Sequence, residues 1–83
     1  MQKIKLNDYE DNMGIFIDLE NGDNKGFKYK NEINISYESL LINYKDILKK
    51  ECKYYIFCLG GIRSRKAVGI LEYYGYDVTW VYK

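Results

Sequence analysis

Residues 54–58, Tyr54-Tyr55-Ile56-Phe57-Cys58, form an unbroken apolar run. Successive side chains of a strand point to opposite faces, so a run without a polar member needs cover on both. That is the condition of an inner strand in a parallel sheet, and it constrains this chain more than any other feature. A parallel neighbour also needs a long crossover, usually a helix. The sequence offers one on each side of the run. Ser36 is placed to cap a helix whose apolar face is Leu40, Leu41, Tyr44, Ile47 and Leu48. Lys49 and Lys50 fall near its end, where the helix dipole favours cations. After the run, Ala67, Ile70, Leu71 and Tyr74 recur at helical spacing, and Gly75 is placed to stop that helix.

Shorter apolar stretches complete the set. Lys3 to Leu6 alternates, Ile15 to Leu19 reads as a strand, and Ile33 to Ile35 is a brief third one. Residues 20–31 are polar with Gly22 and Gly26, a loop pattern. Val78 to Tyr82 is rich in β-branched and aromatic residues, a final strand. The order is α/β. It predicts a small central, mainly parallel sheet flanked by helices on both faces. At 83 residues the chain is expected to form a single domain over 1–83.

Composition narrows the function. The formal net charge is +1 and the lysines are spread along the chain, which argues against a general nucleic-acid binder. No apolar run approaches the ~20 residues of a membrane span, so no membrane partner is expected. The first residues, MQKIKLNDYEDN, lack the apolar centre of a secretory signal. With two cysteines and no such signal, a reducing, cytoplasmic setting is expected. Ten tyrosines supply apolar area with a polar tip. They leave either a monomer or a weak homodimer open.

The chemistry concentrates after the apolar run, in Cys58, Leu59, Gly60, Gly61, Ile62, Arg63, Ser64 and Arg65. In open α/β sheets the ligand site lies beyond the carboxyl ends of the strands, which is where Cys58 falls. Two adjacent glycines permit backbone angles that turn several N–H groups inward, a concavity for anions. The following helix adds unpaired N–H groups and its positive dipole end. Helix N-termini and neighbouring cations favour the thiolate form of cysteine. Arg63 and Arg65 are such cations at all physiological pH values. The expected outcome is a nucleophilic thiolate rather than an inert buried thiol.

Other uses of a cysteine fit less well. If residues 52–58 run as one strand, Cys52 and Cys58 lie about 20 Å apart at ~3.3 Å per residue. A disulfide requires roughly 4.4–6.8 Å. Two cysteines and no histidine do not make a metal site. Cysteine phosphatases place five residues between cysteine and arginine; here four separate Cys58 from Arg63 and six separate it from Arg65. Trp80 and Tyr82 read as packing residues, and Asp18 as a turn former with a second possible role bonding the cysteine loop.

The stretch from Cys58 to Ser64 resembles the active-site loop of the rhodanese-like domain family of sulfurtransferases, C-x-x-G-x-R with Ser or Thr next. YYIFC resembles that family's apolar strand, and AVGILEYYGYDVTWVY its next helix and strand. IFIDLE resembles the "IDVR" strand and EINIS the "AINIP" stretch. Several features depart from the pattern, among them a missing or minimal helix before the "IDVR" strand and the absence of the glycines that commonly follow the last strand. Glu20 stands at the arginine of "DVR", and residues 20–31 contain no "GHIPGA" segment, with neither His nor Pro.

The resemblance implies an enzyme that needs no cofactor. Cys58 would take sulfane sulfur from a small anionic donor such as thiosulfate, becoming a persulfide. The backbone from Leu59 to Ser64 would cradle that sulfur, Arg63 would lend positive charge and Arg65 would steer the donor. A thiol, cyanide or protein sulfur acceptor would then remove it. The alternative within the same family is a non-catalytic binding or regulatory module.

Overall fold

The computed structural model describes residues 1–20 and 28–83. Five strands, β1 (Gln2–Lys5), β2 (Ile15–Asp18), β3 (Glu32–Asn34), β4 (Lys53–Phe57) and β5 (Asp77–Tyr82), form one sheet in the order β1-β5-β4-β2-β3. Every pairing is parallel. Two α-helices, α1 (Tyr37–Ile47) and α2 (Ile62–Tyr73), make the crossovers into β4 and β5. The α/β order and the inner position of residues 54–57 are as expected. The loop expected over 20–31 lies mostly outside the described residues, since 21–27 are not among them.

Strand parity sorts the core into two clusters. Ile17, Leu19, Tyr54, Ile56, Cys58 and Val78 turn to one face, where Leu40 and Leu48 meet Ala67, Val68 and Leu71. Phe16, Tyr55, Phe57 and Val81 turn to the other, where they meet Tyr9. Both α-helices therefore cover the same face. Among the described residues, the helical elements on the opposite face are two short 3-10 turns, Leu6–Asp8 and Asp11–Met13. This refines the expectation of helices on both faces. The segment between β1 and β2 is short and rich in Asp and Asn, which favour turns over helix interiors.

Helix ends follow the sequence signals. Ser36 accepts a hydrogen bond from the Ser39 N–H at 3.1 Å, an N-cap worth about 1 kcal/mol. At the end of α2 the Tyr76 N–H bonds the Leu71 carbonyl and the Gly75 N–H bonds that of Glu72. This is the Schellman arrangement, with Gly75 at φ 91°. The buried stripe of α2 is Ser64, Ala67, Val68 and Leu71, rotated from the Ala67, Ile70, Leu71 and Tyr74 face expected. The rotation turns Ser64 inward; Tyr74 instead stacks on Tyr44 at 5.3 Å. Among the described residues no helix is long and apolar enough to cross a membrane.

Candidate active site

The chain reverses direction across the sheet between β2 and β4. From β2 it moves outward to β3; from β4 it moves the other way, to β5. In open α/β sheets ligands bind at such a switch point, beyond the carboxyl ends of the strands. Cys58 and Leu59 leave β4 on one side of it, and Leu19 and Glu20 leave β2 on the other. The ladder pairs Asp18 with Phe57, and the Leu19 N–H continues it to the Phe57 carbonyl at 2.9 Å.

Cys58 is 4% exposed and joins the core on the helix face. Gly61 makes the turn from strand to helix with φ 79°, the left-handed region where a side chain is strained. That turn starts α2 beside the sulfur. The Ser64 N–H donates to Cys58 Sγ at 3.3 Å, and the Cys58 thiol donates to Ser64 Oγ at 3.3 Å. The Ser64 hydroxyl donates to the Gly61 carbonyl at 3.2 Å and accepts from Trp80 Nε1 at 3.1 Å. A hydroxyl has one proton and two lone pairs, so Ser64 is fully used in this state.

The loop amides divide into three groups. Ser64 donates to the sulfur. Leu59 donates to Glu20 Oε1 at 3.2 Å. For Gly60, Gly61, Ile62 and Arg63, no group among the described residues accepts from the backbone N–H. Unpaired amides in a turn that opens a helix form a concavity suited to an anion. A Cβ added at Gly60 would meet nothing within 4 Å, so the loop is open at that point.

Each residue singled out in the sequence has a definite place. Cys58, Leu59, Gly60, Gly61, Ile62 and Ser64 form the loop and first turn of α2. The Arg63 side chain is exposed and no hydrogen bond ties it to the loop. Arg65 is also exposed and lies over the Trp80 ring, 5.6 Å from its centre. Asp18 is buried and Oδ1 accepts from the Glu20 N–H at 2.9 Å, so it shapes the segment that faces the cysteine loop. Both cysteines are free. Among the described residues no group of three His, Cys, Asp or Glu is placed to hold a metal ion.

The sequence marks Trp80 as a packing residue, and the structure adds a polar contact. Its indole N–H fixes the hydroxyl that touches Cys58. A signal was present: a buried tryptophan usually finds a partner for its N–H. Glu20 was noted as a departure, but its bond to Leu59 depends on the register between β2 and β4.

No protein-family model matches the chain, and no curated protein matches it. Solved structures do match. A rhodanese-related protein from Thermoplasma volcanium superposes with a TM-score of 0.80 at 29% identity, covering 99% of this chain and 84% of that one. The chain has the fold of a rhodanese-like domain. Two larger proteins contain a similar unit. Reduced CoADR-RHD of Bacillus anthracis matches with a TM-score of 0.76 at 26% identity, over 96% of this chain and 15% of that one. A NAD-dependent persulfide reductase from A. fulgidus matches with a TM-score of 0.74 at 18% identity, over 99% of this chain and 14% of that one. The rhodanese-like domain thus corresponds to a small part of each of these two chains.

Proposed function

We propose that this rhodanese-like domain is a sulfurtransferase that carries sulfane sulfur as a persulfide on Cys58. The observation that supports this reading best is the junction of β4 and α2. A sulfur atom receives the Ser64 N–H while four neighbouring amides, Gly60 to Arg63, have no acceptor among the described residues. Unpaired amides in such a turn suit the negative charge of a second sulfur attached to Cys58. A persulfide reductase with the same fold adds chemical plausibility.

With thiosulfate as a convenient donor the first half-reaction balances as follows. The Cys58 thiolate attacks the outer sulfur, the S–S bond of the donor breaks, and its electron pair leaves with sulfite. Cyanide or a thiol then attacks the outer sulfur of Cys58–S–S⁻ and restores the thiolate. The transferred sulfur would lie in the cradle of Gly60 to Ser64, since the Leu59 amide expected to join it is held by Glu20. Arg63 and Arg65 sit at the exposed side of the helix N-terminus, where they attract an anionic donor over longer range. Both thiols stay free in a reducing cytoplasm, the compartment this chemistry fits. A monomer suffices, because every proposed group comes from one chain.

The decisive experiment is mass spectrometry after thiosulfate treatment. The expected result is one added sulfur on the peptide that contains Cys58, removed by cyanide. A second reading, a non-catalytic docking module, draws on the burial of Cys58 at 4% exposure. No added sulfur under a large excess of several donors, with an ordinary alkylation rate at neutral pH, would favour that module.

A further inference from the structure

One end of the cysteine loop is held by a negative charge of the protein's own. The sheet register puts it there. Asp18 pairs with Phe57, so two residues further along Glu20 stands opposite Leu59. The Leu59 N–H, the first amide after Cys58, donates to Glu20 Oε1 at 3.2 Å. The loop arginines do not offset this charge at contact distance. Both are exposed, Arg65 lies over the Trp80 ring, and among the described residues no ion pair links Glu20 to a cation. The charged side chain hydrogen-bonded to the loop backbone is therefore a carboxylate.

We infer that Glu20 is a specificity-determining residue that selects against dianionic sulfur donors. The substrate class that fits is an organic hydropersulfide, R–S–SH, on a small thiol or a protein. This inference rests on the reading of Cys58 as a sulfur carrier. Thiosulfate brings two negative charges to the cradle, whereas a hydropersulfide brings at most one at the transferring sulfurs. The step balances without a further reagent. The Cys58 thiolate attacks the outer sulfur of R–S–SH, the donor S–S bond breaks, and the electron pair leaves on R–S⁻. The proton stays on the transferred sulfur, giving Cys58–S–SH.

The size of the effect follows from the charges. At a separation of about 6 Å and water-like screening, removing one carboxylate charge speeds a monoanion roughly threefold and a dianion roughly tenfold. Salt shrinks both factors.

The test compares the Cys52→Ser variant with the same variant carrying Glu20→Gln, so that one thiol reacts in each. Iodoacetate and iodoacetamide alkylate by the same chemistry and differ in charge, so the ratio of their rates cancels the thiolate fraction. We expect Glu20→Gln to raise the iodoacetate-to-iodoacetamide ratio about threefold at low salt, and less at high salt. Persulfide formation, followed by mass spectrometry, is expected to rise about tenfold with thiosulfate relative to a neutral alkyl hydropersulfide. An unchanged alkylation ratio in the folded variant overturns the role of Glu20. A raised alkylation ratio with no persulfide from any donor upholds Glu20 as a charge filter and instead overturns the sulfur-carrier reading, with the substrate class that depends on it. Equal gains with both sulfur donors also overturn the substrate class.

Discussion

On one face of the sheet two α-helices cover aliphatic side chains; on the other, two 3-10 turns cover a cluster of rings. Leu40, Val68 and Leu71 pack on Ile17 and Ile56 beneath the helices. On the opposite face Tyr9 lies within 5.0 Å of Phe16 and of Tyr55, centre to centre, and 4.8 Å from Tyr29. The Tyr9 hydroxyl donates to the Gly14 carbonyl at 2.7 Å, pinning the segment down. Large rings let a short segment bury much area without forming a helix. The two coverings differ in what they bring besides burial. A helix delivers unpaired amides and a dipole end to the edge of the sheet. A pair of short turns does not. The proposed chemistry accordingly lies where α2 begins, and the aromatic face is expected to contribute stability.

Substitutions on each face can break this division. The largest effect is expected from Cys58→Ser, on the helix face. Thiocyanate formation from thiosulfate and cyanide should fall to background while the melting temperature barely moves. Cys52→Ser should keep most of the activity, and equal loss in both variants would contradict the assignment. Next comes Gly61→Val at the strand-to-helix turn. It should lower turnover on the order of 10²-fold, because the loop geometry shifts. The stability cost from the left-handed backbone is only about 1–2 kcal/mol. Matched losses in turnover and denaturant midpoint would count against a functional role for the curl.

The aromatic face should answer in the opposite way. Tyr9→Ala is expected to cost about 3–5 kcal/mol in chemical denaturation, the usual loss for a large buried ring. Activity per folded molecule should stay unchanged. Any drop in turnover below the unfolding transition would show that the two faces communicate. The smallest effect is expected from Tyr9→Phe, about 1 kcal/mol at neutral pH for the lost hydrogen bond. This variant also sharpens the comparison at high pH. Burial, with Asp11 adding to it, pushes the Tyr9 phenol up to about 12 from 10.0. The folded state therefore favours the neutral phenol. That stabilisation is present below pH 10, where both states are protonated, and is lost as pH rises from 10 toward 12. Tyr9→Phe should remove this part of the alkaline decline, so the two stability curves converge above pH 10 and cross before pH 12.

Much of the helix face was legible in the sequence, and little of the aromatic face. Residues 54–58 announced an inner strand because no polar residue interrupts them. Ser36 and Gly75 marked helix ends through local chemistry that does not depend on the rest of the fold. The loop from Cys58 to Ser64 stood out because glycines and cations follow a strand end. Tyr9 gave no comparable signal, since its partners Phe16, Tyr29 and Tyr55 are brought to it only by the sheet. The same reason hid the polar contacts at the site. Trp80 reaches Ser64, and Glu20 reaches Leu59, across pairs of residues 16 and 39 positions apart. Such meetings are set by strand order and register, which periodicity does not encode. The face of α2 was misjudged by about one position because Ser64, a polar residue, occupies a buried place on it.

The chain holds one tryptophan, and its indole N–H is tethered to the hydroxyl that touches Cys58. On the proposed function, a second sulfur on Cys58 would displace the thiol proton and leave that hydroxyl to a new partner, a change the indole would sense. Ultraviolet emission from this native fluorophore should report sulfur occupancy in real time, with no dye attached.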